Sequence, residues 1–216
     1  MEFVLAQHHS VANRFIAELR DVHTQQDRHR FRFNLERISE ILAYEISKSL
    51  QYTAIEVRTP LGIATTQQPL ERVVVAAILR AGMPMQQGVM RIFDQADAAF
   101  VSAYRKHRRD GTFDISLNYA TCPNLDDAIV ILCDPMLATG ASIDASLQAL
   151  LEFGKPKAIH LAIAIASRQG LEFVRRKYPE CRLWVGDLDE ELTAKSYIVP
   201  GLGDAGDLSF GPKLQA

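Results

Sequence analysis

Ile131-Leu132-Cys133-Asp134-Pro135-Met136-Leu137-Ala138-Thr139-Gly140-Ala141-Ser142 is the stretch on which the reading of this chain turns. It continues an apolar run, Ala128 to Cys133, that is short and shows no alternation, as in a strand buried on both faces of a sheet. An acid follows, then a short loop, then Thr-Gly. Beyond it Ile143, Leu147, Leu150 and Leu151 recur at helical spacing, closed by Gly154. Strand, loop and helix in that order aim backbone N–H groups and the positive end of a helix dipole at the loop, which suits a phosphate. Thr139 and Ser142 would add hydroxyl donors, Gly140 would let the backbone come close, and Asp134 would accept hydrogen bonds from sugar hydroxyls. The plainer reading is that Thr139 caps the helix and Gly140 makes the turn; the loop by itself leaves both open. The patterns GxxxxGK[ST] and GxGxxG are absent.

Working outward, Val73 to Leu79, Ala98 to Ala103 and Ala158 to Ala166 are further apolar runs of strand length, and Leu171 and Val174 mark another, weaker helix after the last of them, before Lys177. Tyr52 to Arg58 alternates and ends at Pro60 and Gly62, a strand and its turn. Arg105 to Leu125 fits an extended hairpin or loop. The first fifty residues carry two helical apolar stripes, Val11, Phe15 and Leu19, then Leu35, Ile38, Leu42 and Ile46. They read as an N-terminal helical arm that must bury its stripes on the main body or on another subunit. Buried strands alternating with helices predict an α/β fold, an open and mostly parallel sheet flanked by helices. Ligands in such sheets bind outside the carboxyl ends of the strands. That rule selects Arg80 to Gly82, Tyr104-Arg105, Asp134 to Ser142 and the tail after Val199.

Composition excludes several classes. Of 216 residues 48% are hydrophobic and 23% charged, with a net charge of -2, which argues against disorder, collagen, coiled coil and bulk electrostatic binding of nucleic acid. No apolar run approaches a membrane span and no signal peptide is seen, so a cytoplasmic protein is expected. Cys122, Cys133 and Cys181 are widely spaced and fit neither a disulfide framework nor a zinc site; Cys133 reads as core. The six histidines show no metal-ligand spacing. Asp187, Asp189, Glu190 and Glu191 read as an exposed acidic turn, and Trp184 as core or interface.

Four segments carry a resemblance. Asp134-Pro135-Met136-Leu137-Ala138-Thr139-Gly140 resembles the phosphoribosyl-diphosphate (PRPP) loop of type I phosphoribosyltransferases, in the form found in the uracil phosphoribosyltransferase family. Ile78-Leu79-Arg80-Ala81-Gly82 is similar to that family's ILRAG loop, Tyr104-Arg105 to its YR pair, and Tyr197 to Asp207 to its C-terminal YIVPGLGDAGD segment. Ile41-Leu42-Ala43-Tyr44-Glu45 agrees in style, so the resemblance spans nearly the whole chain. It implies one phosphoribosyltransferase domain over residues 1–216, with the arm at 1–50, a core at 51–185 and a base-binding hood at 186–216. It implies transfer of ribose 5-phosphate from PRPP to N1 of uracil, giving UMP and pyrophosphate, with Mg²⁺ carried mainly by PRPP and no direct protein ligand beyond a contact near Asp204. The implied catalytic residues are Arg80, Arg105, Asp134 and Asp204. PRPP would also meet Pro135, Met136, Leu137, Ala138, Thr139, Gly140, Ala141 and Ser142. Uracil would meet Ile198, Gly203, Asp204 and Ala205, and the oligomer would be a homodimer or larger, with no membrane or nucleic-acid partner.

The chain departs from the family pattern at four places: Met83-Pro84-Met85, Ala141, Ala166-Ser167-Arg168-Gln169-Gly170, and Leu208 where a basic residue often follows. Pro84 removes one backbone N–H. The departures mark a divergent branch. Two other functions stay open at this level: a non-catalytic PRPP- or nucleotide-sensing regulator on the same fold, and the same transfer to another base.

Overall fold

The structure, a computed structural model, describes the backbone of residues 2–107 and 113–214, and the side chains of these outside 103–118. In chain order the elements are β1 (Glu2–Val4), α1 (Ala12–Arg20), α2 (Arg28–Ser47), β2 (Tyr52–Thr59), β3 (Gly62–Pro69), β4 (Val73–Ile78), α3 (Met83–Ile92), β5 (Asp97–His107), β6 (Phe113–Thr121), β7 (Ile129–Leu137), α4 (Ala141–Leu150), β8 (Ala158–Ser167), α5 (Arg168–Lys177), β9 (Arg182–Asp189), β10 (Glu191–Leu192), β11 (Ile198–Val199) and α6 (Ala205–Phe210).

Seven strands form one sheet in the order β1-β9-β8-β7-β4-β5-β6. All neighbours are parallel except β5 and β6, which form the antiparallel hairpin expected after Arg105. Every residue of β4 is buried, and its alternate side chains enter two cores. Val73 and Val75 join Ile129, Ile131 and Cys133 on one face, beneath Leu35, Ile38, Leu42 and Ile46 of α2 and Met85 and Val89 of α3. Val74, Ala76 and Ile78 join Val130 and Leu132 on the other, beneath Ile143 and Leu147 of α4 and Leu171 and Val174 of α5. Each fully buried Leu or Ile contributes roughly 1.5–3 kcal/mol over leaving it exposed. α2 starts where Asp27 caps it, its carboxylate accepting from the N–H groups of His29 and Arg30.

The second stripe is buried within this chain, with Leu35 and Leu42 at 0% exposure, but the first is displaced: α1 buries Ala12, Ile16 and Leu19, while Val11 is 63% exposed and Phe15 only partly covered. Several strands escape the sequence reading, β1 and β9 of the main sheet among them: β1 is three residues long and pairs in parallel with β9, whose apolar pattern is broken by Gly186 and Asp187. β2 forms as a strand as expected, but its burial does not alternate: it pairs with β3, through Thr59↔Gly62 at the turn, and both strands lie outside the main sheet with nearly every residue exposed.

The connections place the site. α3 leaves β4 for one face and α4 leaves the neighbouring β7 for the other. The sheet's winding therefore reverses between β4 and β7, which opens a crevice at their carboxyl ends.

Candidate active site

On one side of the crevice is the turn after β4. The Leu79 N–H donates to Val101 O at 2.8 Å and the Gly82 N–H to Ile78 O at 2.8 Å, and the Leu79–Arg80 peptide is cis. A Cβ on Gly82 would lie 2.4 Å from the Cys133 carbonyl oxygen, so only glycine lets this turn press against β7. Pro84 falls in the first turn of α3, where its missing N–H breaks no helical bond. Arg80 projects outward, half exposed, with Nη2 3.4 Å from Asp207 Oδ1 and 3.3 Å from Gly211 O.

On the other side is the segment read first. Here the structure corrects the expected boundary: β7 does not end at Cys133 but runs to Leu137. β8 supplies the reason, pairing Asp134↔Ile163, Met136↔Ile165 and Leu137↔Ala166, while the pairing with β4 stops at Ala77↔Cys133. Pro135, with no N–H, sits where it interrupts no ladder bond. Asp134 is therefore a buried strand residue, 7% exposed, whose Oδ1 accepts from the Met136 N–H at 3.3 Å. Cys133 is fully buried, and burial with the nearby Asp134 charge drives its thiol far above the ordinary range, so it is core as expected.

The cap also differs from the plainer reading. Gly140, not Thr139, is the N-cap of α4, at φ 87°, and no side chain caps the helix. Thr139 Oγ1 reaches only the Ala141 N–H, at 3.4 Å. The first amides of α4 thus point, with the helix dipole, toward the crevice, the arrangement that holds phosphate. Phe173 of α5 supports Gly140 from beneath. A cavity of about 500 Å³ lined by Thr139, Ala141, Asp144, Ala145, Gln148 and Phe173 flanks the loop.

The tail closes the third side. After β11 comes a cis Val199–Pro200 bond, then Gly201 at φ 57° and Gly203 at φ 96°. Ile198, Leu202 and Ala205 face inward, at 5%, 4% and 3% exposure, while Gly203 is exposed. Asp204 caps α6 by accepting from the Asp207 N–H at 3.0 Å. Burial pushes the Asp204 carboxyl up, but the Asp207 amide and the Lys213 ammonium outweigh it and hold it below the usual range. Lys213 Nζ lies 3.1 Å from Asp204 and 3.2 Å from Asp207. A Cβ on Gly206 would come within 4.0 Å of Ala81 Cβ, so the hood faces the Arg80 turn. Tyr104 and Arg105 lie on β5, paired with Ser116 and Ile115, but their side chains, and the basic run to Arg109, lie outside the described residues.

The crevice thus joins Arg80, Asp134 to Ser142 and Ile198 to Ala205. The sequence profile of the uracil phosphoribosyltransferases matches residues 6–212. The chain belongs to the uracil phosphoribosyltransferase family. A uracil phosphoribosyltransferase of Porphyromonas gingivalis is 48% identical over 211 residues, covering 97% of this chain and 98% of that protein. One from Thermococcus gammatolerans is 35% identical over 206 residues, covering 93% and 89%. Among solved structures, the AQ2163 protein of Aquifex aeolicus superposes with a TM-score of 0.88 at 30% identity over the full length of both chains. The fold is accordingly the open, mostly parallel sheet of the type I phosphoribosyltransferases.

One expectation outside the crevice fails in part. Asp187 and Asp189 are not an exposed acidic turn. Both are salt-bridged to Arg20 of α1 at 2.8 Å, Asp189 is 6% exposed, and only Glu190 and Glu191 face solvent. The i, i+2 spacing of the two acids, which puts both on one face of a strand, was the available signal. Phe173 was invisible because Gly140, which it meets, lies on another element, whereas Lys213 is close in sequence to both of its partners, Asp204 and Asp207, and was not singled out. Trp184 is core, its Nε1–H donating to His160 Nδ1 at 2.9 Å. No helix among the described residues is long and apolar enough to cross a membrane.

Proposed function

We propose that PRPP lies along the crevice with its 5-phosphate and ribose on residues 134–142 and its pyrophosphate toward Arg80 and Arg105, and that uracil lies against Ile198 and Gly203 to Ala205. The reaction is the family's: 5-phosphoribosyl passes from PRPP to N1 of uracil, releasing pyrophosphate and forming UMP. One observation carries the assignment of roles, the facing of the Arg80 turn and the hood across the uncapped start of α4.

Cleaving the anomeric C–O bond leaves a cationic sugar and an anionic pyrophosphate, so positioning and charge stabilisation do most of the work. Arg80 is free to exchange its long contacts to Asp207 and Gly211 for phosphate oxygens. Asp134, within β7 and with Oδ1 on the Met136 N–H, orients ribose hydroxyls. The hood offers uracil backbone groups, which match its two carbonyls and N3–H. Among the described residues no group of three or more His, Cys, Asp or Glu could hold a metal. In this reading Mg²⁺ arrives on PRPP with one carboxylate, Asp204, beside it; when bound it would neutralise pyrophosphate charge.

The reading includes a homodimer or larger assembly in the cytoplasm. The buried arm does not argue for the assembly. The β2–β3 hairpin does, since a two-stranded ribbon exposed on both faces, with Ile63 at 72% and Leu61 at 100%, is marginal alone. Free thiols at Cys122, Cys133 and Cys181 support a reducing compartment.

The test is UMP formation from uracil, PRPP and Mg²⁺, with orotate, cytosine and hypoxanthine in parallel. Turnover confined to uracil is expected. Absence of turnover with retained PRPP binding would point to the regulatory alternative.

A further inference from the structure

Base recognition by backbone groups demands that the backbone itself be fixed, to within about 0.5 Å for a productive site. The hood has an unusual anchor. Arg20, the last residue of α1, forms a two-pronged pair with Asp189, Nη1 to Oδ2 at 2.8 Å and Nη2 to Oδ1 at 2.9 Å. Nη2 also reaches Asp187 Oδ2 at 2.8 Å. The same assembly holds Gly201 at both of its backbone polar groups. Arg20 Nη1 donates to Gly201 O at 3.0 Å, and the Gly201 N–H donates to Asp189 Oδ2 at 2.9 Å. Gly201 has no freedom to substitute, since a Cβ there would lie 2.1 Å from Ile198 O. One residue further, Gln25, with its amide nitrogen turned inward, donates to Leu202 O at 2.8 Å. Two successive carbonyls at the root of the hood are therefore held from the N-terminal arm, directly before Gly203 to Ala205.

We propose that Arg20, acting with Asp189 through the Gly201 peptide, is a positioning residue for uracil. This rests on the reading that residues 198–205 hold the base. The guanidinium is suited to the task because its planar fork meets two carboxylates and a carbonyl at once, which an ammonium cannot do. Arg20 reaches neither the α4 loop nor Arg80 in the contacts it makes, so the effect should fall on the base and spare PRPP.

The experiment compares wild type with Arg20→Gln, Arg20→Lys and Asp189→Asn in full steady-state kinetics, alongside PRPP binding by calorimetry and thermal melting. The expected result is a KM for uracil raised about tenfold or more, the scale of a mispositioned substrate. The KM and Kd for PRPP should stay within about twofold by the same reasoning. Arg20→Lys should recover only part of the loss, and combining Arg20→Gln with Asp189→Asn should add little to either alone. A merely structural role would lower the melting temperature and the active fraction, hence kcat, with KM for uracil unchanged, and that pattern overturns the proposal. If Arg20→Gln does not fold, Arg20→Lys decides: an unchanged uracil KM overturns it, a severalfold rise supports it. Wild-type enzyme that ignores uracil would instead bring down the reading of the hood.

Discussion

Substituting Gly140 by alanine separates the two demands that the loop proposed to hold phosphate makes on one residue. The backbone there sits at φ 87°, where an L-residue costs roughly 1–2 kcal/mol. The added methyl would also lie 2.3 Å from Phe173 Cδ1, against an ordinary carbon contact of about 3.5–4.0 Å. Either the ring retreats by more than an ångström or the loop does. Overpacking of this kind costs typically 1–3 kcal/mol, so the combined loss of stability is about 2–5 kcal/mol. If the loop yields, the first amides of α4 move with it, and an ångström of displacement is worth about a hundredfold in kcat/KM. Urea unfolding and PRPP-dependent kinetics of Gly140→Ala, Phe173→Leu and the double variant resolve the two parts. The double variant should recover the packing loss and keep the strain. Gly140→Ala with wild-type stability and an unchanged KM for PRPP refutes the reasoning that this glycine shapes the cradle.

Three other outcomes are expected. Asp134→Asn, close in shape at a buried strand position, should leave the melting temperature within a few degrees while kcat/KM for PRPP falls about a hundredfold; unchanged kinetics would remove Asp134 from the site. His160 is kept neutral, its pKa lowered to about 4 by burial and the Arg182 charge, so the unfolded chain binds the proton first. Its contribution is complete above the unfolded value near 6.5 and is lost as pH falls toward 4. About 2 kcal/mol should be gone by pH 5, read as the difference in denaturation free energy between wild type and His160→Asn at pH 7 and pH 5. Leu42→Ala, at a site with 0% exposure between α2 and the sheet, should cost about 2–5 kcal/mol in the same assay without altering the KM for uracil.

What could be read from the sequence depended on whether the signal was local. β4 and β8 were legible because burial on both faces leaves an uninterrupted apolar run, and α4 because Ile143, Leu147 and Leu150 recur at helical spacing, although the helix ends at Leu150 and a separate 3-10 turn, Leu151–Phe153, precedes Gly154. The loop between β7 and α4, proposed to hold phosphate, was legible as a loop because an acid, a short stretch and Thr-Gly sit between two such patterns. The true end of β7 was not, because Asp134 and Pro135 look like strand breakers until β8 is alongside to pair around them. β1 is too short to carry a period, and it exists because β9 offers an edge. The Arg20 anchor was invisible for a stronger reason. An arginine at a helix end and two aspartates in an apparent turn each look solvated when read alone, and only the folded chain brings them to 2.8 Å.

That ion pair has a consequence for biosynthesis. Arg20 and Asp189 are 169 residues apart, and Arg20 and the Gly201 carbonyl 181. Arg20 is translated before Asp187, Asp189 and Gly201, so its guanidinium lacks these partners while the strands between them are made. On the reading proposed above, a fragment ending before Asp189 would keep residues 134–142 and their helix but lack the contacts that hold Gly201, and with them a fixed place for uracil.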